Sequence, residues 1–140
     1  MSENFKILTQ FVKDMSSETP NVETYLYVKE YLKNYNLDID ITTKPLKNRM
    51  IEINTKLSYI DKSKAKNKSY FEITYASIIQ IDEKIKDRKI IEKIILCDVQ
   101  KEIYPTLEKI FLNLLSNSGF PGIRFEKKVD FEQLYNQRLN

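Results

Sequence analysis

The chain has 140 residues, 41% hydrophobic and 31% charged, with a formal net charge of +3. That length accommodates one domain with one buried core, and the composition is ordinary for a globular protein. With no histidine, one cysteine and two glycines, the chain excludes His-based acid–base chemistry, Ser-His-Asp triads, a zinc site and a Gly-rich phosphate loop.

No apolar run approaches membrane-spanning length. Met1-Ser2-Glu3-Asn4-Phe5 lacks the basic-then-apolar layout of a signal peptide. The expected location is therefore cytoplasmic, without membrane insertion. Nothing singles out a catalytic pair among the 20 acidic residues, so no enzyme, catalytic residue, metal or cofactor is expected. The charge is too modest to require nucleic acid.

Phe5 to Val12 reads as a first strand, with Phe5, Ile7 and Phe11 on one face and Leu8 and Val12 on the other. Apolar residues on both faces predict burial on both sides, either against a second subunit or under the chain's own following loop. Lys13 to Asn36 reads as a long connection. Met15 to Asn21 carries turn chemistry. Val22 to Tyr35 holds Tyr25, Tyr27, Tyr31 and Tyr35, and the four-residue spacing of the last three predicts a short helix over part of it. Long connections in compact domains are often functional. Tyrosine joins a large apolar face to a polar tip, which suits a surface that receives varied apolar segments; the same rings would also pin the loop to the core.

Three alternating strands follow, with Leu37, Ile39 and Ile41, then Ile51, Ile53, Leu57 and Tyr59, then Phe71, Ile73, Tyr75, Ile79 and Ile81 on their apolar faces. Period two with one apolar face predicts an antiparallel meander covered on one side. Lys44 to Asn48 makes the first turn and Asp61 to Lys68 the second. Lys62, Lys64, Lys66 and Lys68 have no interleaved aromatic, arginine or glycine, which favours a solvated hairpin tip over a phosphate-binding loop.

Ile90 to Asn117 is the longest periodic stretch. Ile91, Ile95, Val99, Ile103, Leu107, Ile110 and Leu114 share a helical face, widened by Ile94, Leu96, Tyr104, Phe111 and Leu115. Such a helix spans roughly 42 Å, against roughly 37 Å for a compact domain of this length. It covers the sheet, and its surplus width favours a second copy of the chain as a further partner. Pro105 removes one donor and crowds the carbonyl of Lys101, which predicts a kink, or a break into two helices. Cys97 reads as a small packing residue. Gly119 suits a left-handed cap after Asn117-Ser118. Asp130 is an N-cap for a last helix, Phe131 to Leu139, with Phe131, Leu134 and Tyr135 as its apolar edge.

The order of these elements and four local motifs resemble SecB, the bacterial protein-export chaperone, over roughly Phe5 to Gln137. The motifs are Lys13-Asp14-Met15-Ser16 with Glu18 and Pro20-Asn21; Phe71-Glu72-Ile73-Thr74-Tyr75 with Ile78-Ile79; Ile103-Tyr104-Pro105; and Phe120-Pro121 with Val129-Asp130-Phe131 and Leu134-Tyr135. The resemblance implies an α+β fold, a four-stranded antiparallel sheet with a long helix and a short C-terminal helix packed on one face, as a single domain over residues 1–140. It also implies a homotetramer, built as a dimer of dimers. The implied activity is an ATP-independent holdase that binds unfolded preproteins and delivers them to the SecA motor. Tyr25, Tyr27, Tyr31, Tyr35 and Phe120 would line the client groove. Asp14, Glu18 and Glu72, with Tyr70 at the neighbouring apolar position, would form the SecA-docking surface.

The chain departs from the family pattern in its basic charge, in Ser17 for a usual aromatic, in Ala76-Ser77 for glycine, in Val99-Gln100 for Cys-Pro and in Glu108 for a common arginine. The alternatives are a SecB-like chaperone dedicated to another client such as an antitoxin, and a nucleic-acid-associated protein using the Lys62–Lys68 loop.

Overall fold

The computed structural model describes residues 4–125 and 128–138. Met1 to Glu3, at the start of the stretch read for a signal peptide, and Leu139, the expected end of the last helix, lie outside the described residues. Strands β1 (Phe5–Glu18), β2 (Tyr35–Pro45), β3 (Met50–Asp61) and β4 (Tyr70–Ile81) form one antiparallel sheet in the order β1-β4-β3-β2. The α+β class, with helices over one face, is as expected.

β1 is longer than the Phe5–Val12 expected, and the supposed long connection after it is mostly structured. Two bulges, between Ile7 and Thr9 and between Val12 and Asp14, carry the strand through Lys13 to Glu18. Each bulge inserts one residue and flips the facing of the residues after it. Directly paired residues share a face, so Phe5 and Ile7, opposite buried Ile81 and Ile79, turn to the helix side. Gln10, Val12, Met15 and Ser17 do the same, opposite Ser77, Tyr75, Ile73 and Phe71. Phe11, opposite Ala76, is thereby turned to the outer face, not to the side of Phe5 and Ile7.

Asn21 then caps helix α1 (Val22–Glu30), its Oδ1 accepting the Thr24 N–H at 2.8 Å. The turn between β2 and β3 places Asn48 and Arg49 at φ 60° and 61°. Asparagine tolerates that left-handed region; arginine is held there because its guanidinium donates to the carbonyls of Ile81, Asp82 and Ile85.

The long helix is one rod: α2 (Arg88–Lys93), a π-helical turn (Ile94–Asp98) and α3 (Val99–Asn117), with right-handed helical dihedrals at both joints. It runs through Pro105 without the expected break. Lys101 and Pro105 lie on the exposed side, where water can bond the carbonyl that lacks its donor. The irregularity sits instead at the π turn. There the fully buried Gln100 donates through Nε2 to the Ile95 carbonyl at 3.3 Å and accepts from Thr55 Oγ1 at 3.0 Å. Val99, Ile103, Leu107, Phe111 and Leu115 are fully buried against Ile53, Leu57, Phe71, Ile73 and Ile79. The buried stripe thus keeps four-residue steps and winds round the helix along a twisted sheet, leaving Ile110 and Leu114 only partly covered. Gly119 (φ 100°) closes the helix: the Phe120 N–H reaches the Leu115 carbonyl and the Gly119 N–H the Ser116 carbonyl, both at 3.1 Å.

Helix α4 (Phe131–Arg138) begins as read from Asp130, whose Oδ1 accepts the Gln133 N–H at 3.0 Å. Phe131 meets Tyr104 edge-on at 5.3 Å, and Lys101 pairs with Glu132 at 2.8 Å. Leu134, read as part of the packed edge, is exposed.

Candidate functional site

Two surfaces collect the residues singled out by the sequence. The first surrounds α1. A chain of ring contacts runs from Tyr25 to Phe120 (5.1 Å), to Phe71 (5.7 Å), to Tyr35 (6.2 Å), to Tyr59 (5.5 Å), to Phe125 (5.8 Å) and to Phe111 (6.3 Å). Tyr35 and Phe120 are only 5% and 3% exposed, so within the protomer they belong to the core and not to an open surface. Tyr35 Oη donates to the Ser69 carbonyl (3.3 Å) and accepts the Ser69 N–H (3.0 Å). Burial pushes the Tyr35 hydroxyl above its ordinary range, and does the same to Tyr59, so both stay neutral at physiological pH. Tyr25 is half-buried and anchors α1 by donating from Oη to the Gly119 carbonyl at 2.7 Å.

Tyr27 and Tyr31 form their own pair, with centroids 4.5 Å apart. The expected short helix is α1, and Tyr31 is its C-cap, donating its N–H to the Tyr27 carbonyl at 3.0 Å, so the spacing of these two is helical, whereas Tyr35 begins β2 and lies beyond it. The apolar groups that α1 does present outward are Val22 and Leu26, 68% and 59% exposed, while Thr24 and Val28 turn inward. Both pairs are four residues apart and point to opposite sides. Val22 and Leu26 are the exposed apolar residues that the aromatic spacing misses; reading Asn21 as a cap would have found them.

The second surface is the outer face of the sheet. β1 and β4 pair Asp14 with Thr74, Ser16 with Glu72 and Glu18 with Tyr70. Asp14, Glu18, Tyr70 and Glu72 therefore stand on one face, on adjacent strands, and Tyr70 is 54% exposed. The bulge at Lys13 makes this possible, because without its extra residue the facing of Asp14 would not match Glu72. Lysines share this face. Lys56 pairs with Glu72 at 3.2 Å and Lys62 with Asp38 at 3.5 Å. Lys13 reaches Glu52 at 2.6 Å, where Asn54 also donates at 2.8 Å. Those two hydrogen bonds, Lys13's first, hold the Glu52 carboxyl below its usual range.

The lysine-rich turn folds on itself: Asp61 Oδ1 accepts the Ser63 N–H, Ser63 Oγ the Ala65 N–H, and Lys68 donates to the Ser63 carbonyl. Among the described residues no group of three or more Cys, Asp or Glu is placed to hold a metal ion, and no helix is long and apolar enough to cross a membrane. Cys97 is fully buried, and burial pushes its thiol up. The whole arrangement offers apolar and aromatic surface around α1 and mixed charge on the outer face of the sheet.

Comparison with known proteins agrees. The family model described as preprotein translocase subunit SecB matches residues 1–140. The SecB relative from Pelagibacter ubique is 56% identical over 140 residues, covering 100% of both chains. The protein-export protein SecB of Parvibaculum lavamentivorans is 26% identical over 133 residues, covering 95% of this chain and 77% of its own. Among solved structures, the SecB-like chaperone of Mycobacterium tuberculosis, in complex with a ChAD peptide from an antitoxin, matches with a TM-score of 0.64 at 8% identity, over 90% of this chain and 91% of that one. This last likeness is one of fold.

Proposed function

The chain belongs to the SecB family of protein-export chaperones, which are not enzymes, and from that membership we propose that it is an ATP-independent holdase that hands unfolded preproteins to SecA. Clients would lie against the apolar side, on Val22, Leu26, Tyr27 and Tyr31 of the α1 region, with Tyr25, Tyr35 and Phe120 holding that wall in place. Burial of client apolar groups there needs no nucleotide, since the hydrophobic term is non-directional and scales with the area removed from water. SecA would dock on Asp14, Glu18, Tyr70 and Glu72. The working form is a cytoplasmic homotetramer, which would cover the apolar side chains that β1 and the long helix leave exposed.

The observation that carries the docking assignment is the β1–β4 register, which gathers residues far apart in sequence onto one accessible face. The test is binding of the purified protein to the C-terminal tail of SecA, beside a triple variant Asp14→Ala, Glu18→Ala, Glu72→Ala shown to fold and assemble alike. Binding that the triple variant loses supports the assignment. No binding, with suppression of client aggregation intact, would point to a holdase serving another machine.

A second reading keeps the groove and changes the client to a dedicated partner such as an antitoxin. The net charge of +3, in a family whose members are usually acidic, favours considering it. A dedicated chaperone would leave generic unfolded export precursors to aggregate in a light-scattering assay; a holdase would not.

A further inference from the structure

We propose that Lys56 is a built-in competitor on the docking face, setting how tightly a cationic partner segment binds there. The inference rests on the proposed docking of SecA and adds to it the residue that tunes it.

Lys56 stands on β3, directly opposite Asp40 of β2 on one side and Thr74 of β4 on the other. Thr74 is in turn opposite Asp14 of β1. The lysine thus lies in the same cross-strand row as Asp40 and Asp14, one row from Glu72. Its ammonium is 3.2 Å from Glu72 Oε1, with both side chains about two-fifths exposed (43% and 41%). One of the carboxylates available to a partner is therefore already bonded to a cation of the same sheet. Strands lie roughly 4.8 Å apart, so the Lys56 and Asp14 positions are roughly 10 Å apart, near the Debye length at physiological salt. A partner's cation approaching Asp14 or Glu72 meets this charge as well.

The other lysine of the neighbourhood behaves differently. Lys13 adjoins Asp14 in the chain, yet it reaches across to Glu52, where it is bonded at 2.6 Å. Glu52 is outside the docking set, so Lys13 is neutralised away from it. Among the described residues, Lys56 alone takes its counter-ion from the set. A partner that uses Glu72 must displace Lys56 first and then tolerate its charge.

Exposed ion pairs of this kind are weak, so the competition is modest. Removing Lys56 should tighten binding roughly two- to five-fold at low salt, with the gain shrinking as salt rises. The experiment is a titration of the SecA C-terminal tail against the full-length wild-type protein and its Lys56→Gln, Lys56→Arg and Lys6→Gln variants. Lys6 changes net charge equally but lies opposite Gln80, at the far end of β1. The expected result is tighter binding by Lys56→Gln alone, with Lys56→Arg and Lys6→Gln near wild type. Equal or weaker binding by Lys56→Gln, while the triple carboxylate variant still abolishes binding, overturns this inference and leaves the docking assignment standing. An equal gain from Lys6→Gln reduces the effect to net charge and also overturns it. No binding by any variant removes the docking assignment and this inference together.

Discussion

Gly119 sits at φ 100°, and a Cβ there would stand 2.5 Å from Tyr25 Cε1. Backbone strain and displacement of the ring then act together, so Gly119→Ala should lower unfolding stability by about 2–4 kcal/mol. Tyr25→Phe, which removes only the hydroxyl donated to the Gly119 carbonyl, should cost about 1 kcal/mol. Urea unfolding at one fixed protein concentration measures both, and a neutral Gly119→Ala would mean that α1 is not anchored there. Cys97 yields a second residue-level test. Its thiol is buried and pushed up, so it stays protonated near neutral pH, and iodoacetamide should label it only on unfolding. Both roles are legible in sequence: a glycine after Asn-Ser ends a helix, and a lone cysteine in an apolar stripe packs. The burial of Tyr35 and Phe120 is not legible. Each lies next to an element boundary, where alternation gives no facing, and only the ring contacts across the sheet place them inside.

At the level of elements, Thr55, Gln100 and the Ile95 carbonyl form a buried polar link from β3 to the π turn. Thr55→Val or Gln100→Leu alone strands a polar partner and should cost about 1–3 kcal/mol. The double variant should cost less than the sum, as a double-mutant cycle would show; strict additivity would mean that the bond contributes nothing. The docking of α4 has a pH signature. The Lys101 hydrogen bond holds the Glu132 carboxyl below its usual range, and the same bond raises Lys101. A lowered acid contributes above its ordinary pKa and is lost as pH falls through the lowered value; a raised base contributes below its ordinary pKa and is lost as pH rises through the raised one. The tie should therefore hold across neutral pH and loosen in acid, with the Phe131 ring resonances shifting at a midpoint below the ordinary carboxylate range. The three regular strands and the long helix were readable because their periods are clean. The π turn was not, because one extra residue in a helix leaves no mark on composition. The bulges of β1 were hidden for the same reason, and they turned six strand residues into an apparent loop.

For the whole molecule, β1 is an edge strand that exposes Leu8 at its first bulge, Phe11 on the outer face, and Val12 and Met15 on the helix side. An edge of this kind is a site of association unless covered. If the homotetramer covers it, Val12→Glu with Met15→Glu should shift sedimentation to smaller species while leaving the protomer's circular dichroism unchanged; an unaltered sedimentation coefficient would place the subunit contact elsewhere. The same strand governs how the protein is made. Gln10 bonds Tyr75, a residue 65 positions later in the chain. During synthesis at roughly 5–20 residues per second, β1 waits on the order of three seconds or longer for the strand it pairs with. Until then its apolar residues are open on both faces and both edges. A newborn copy is for those seconds an unfolded chain of the kind that the proposed holdase would bind.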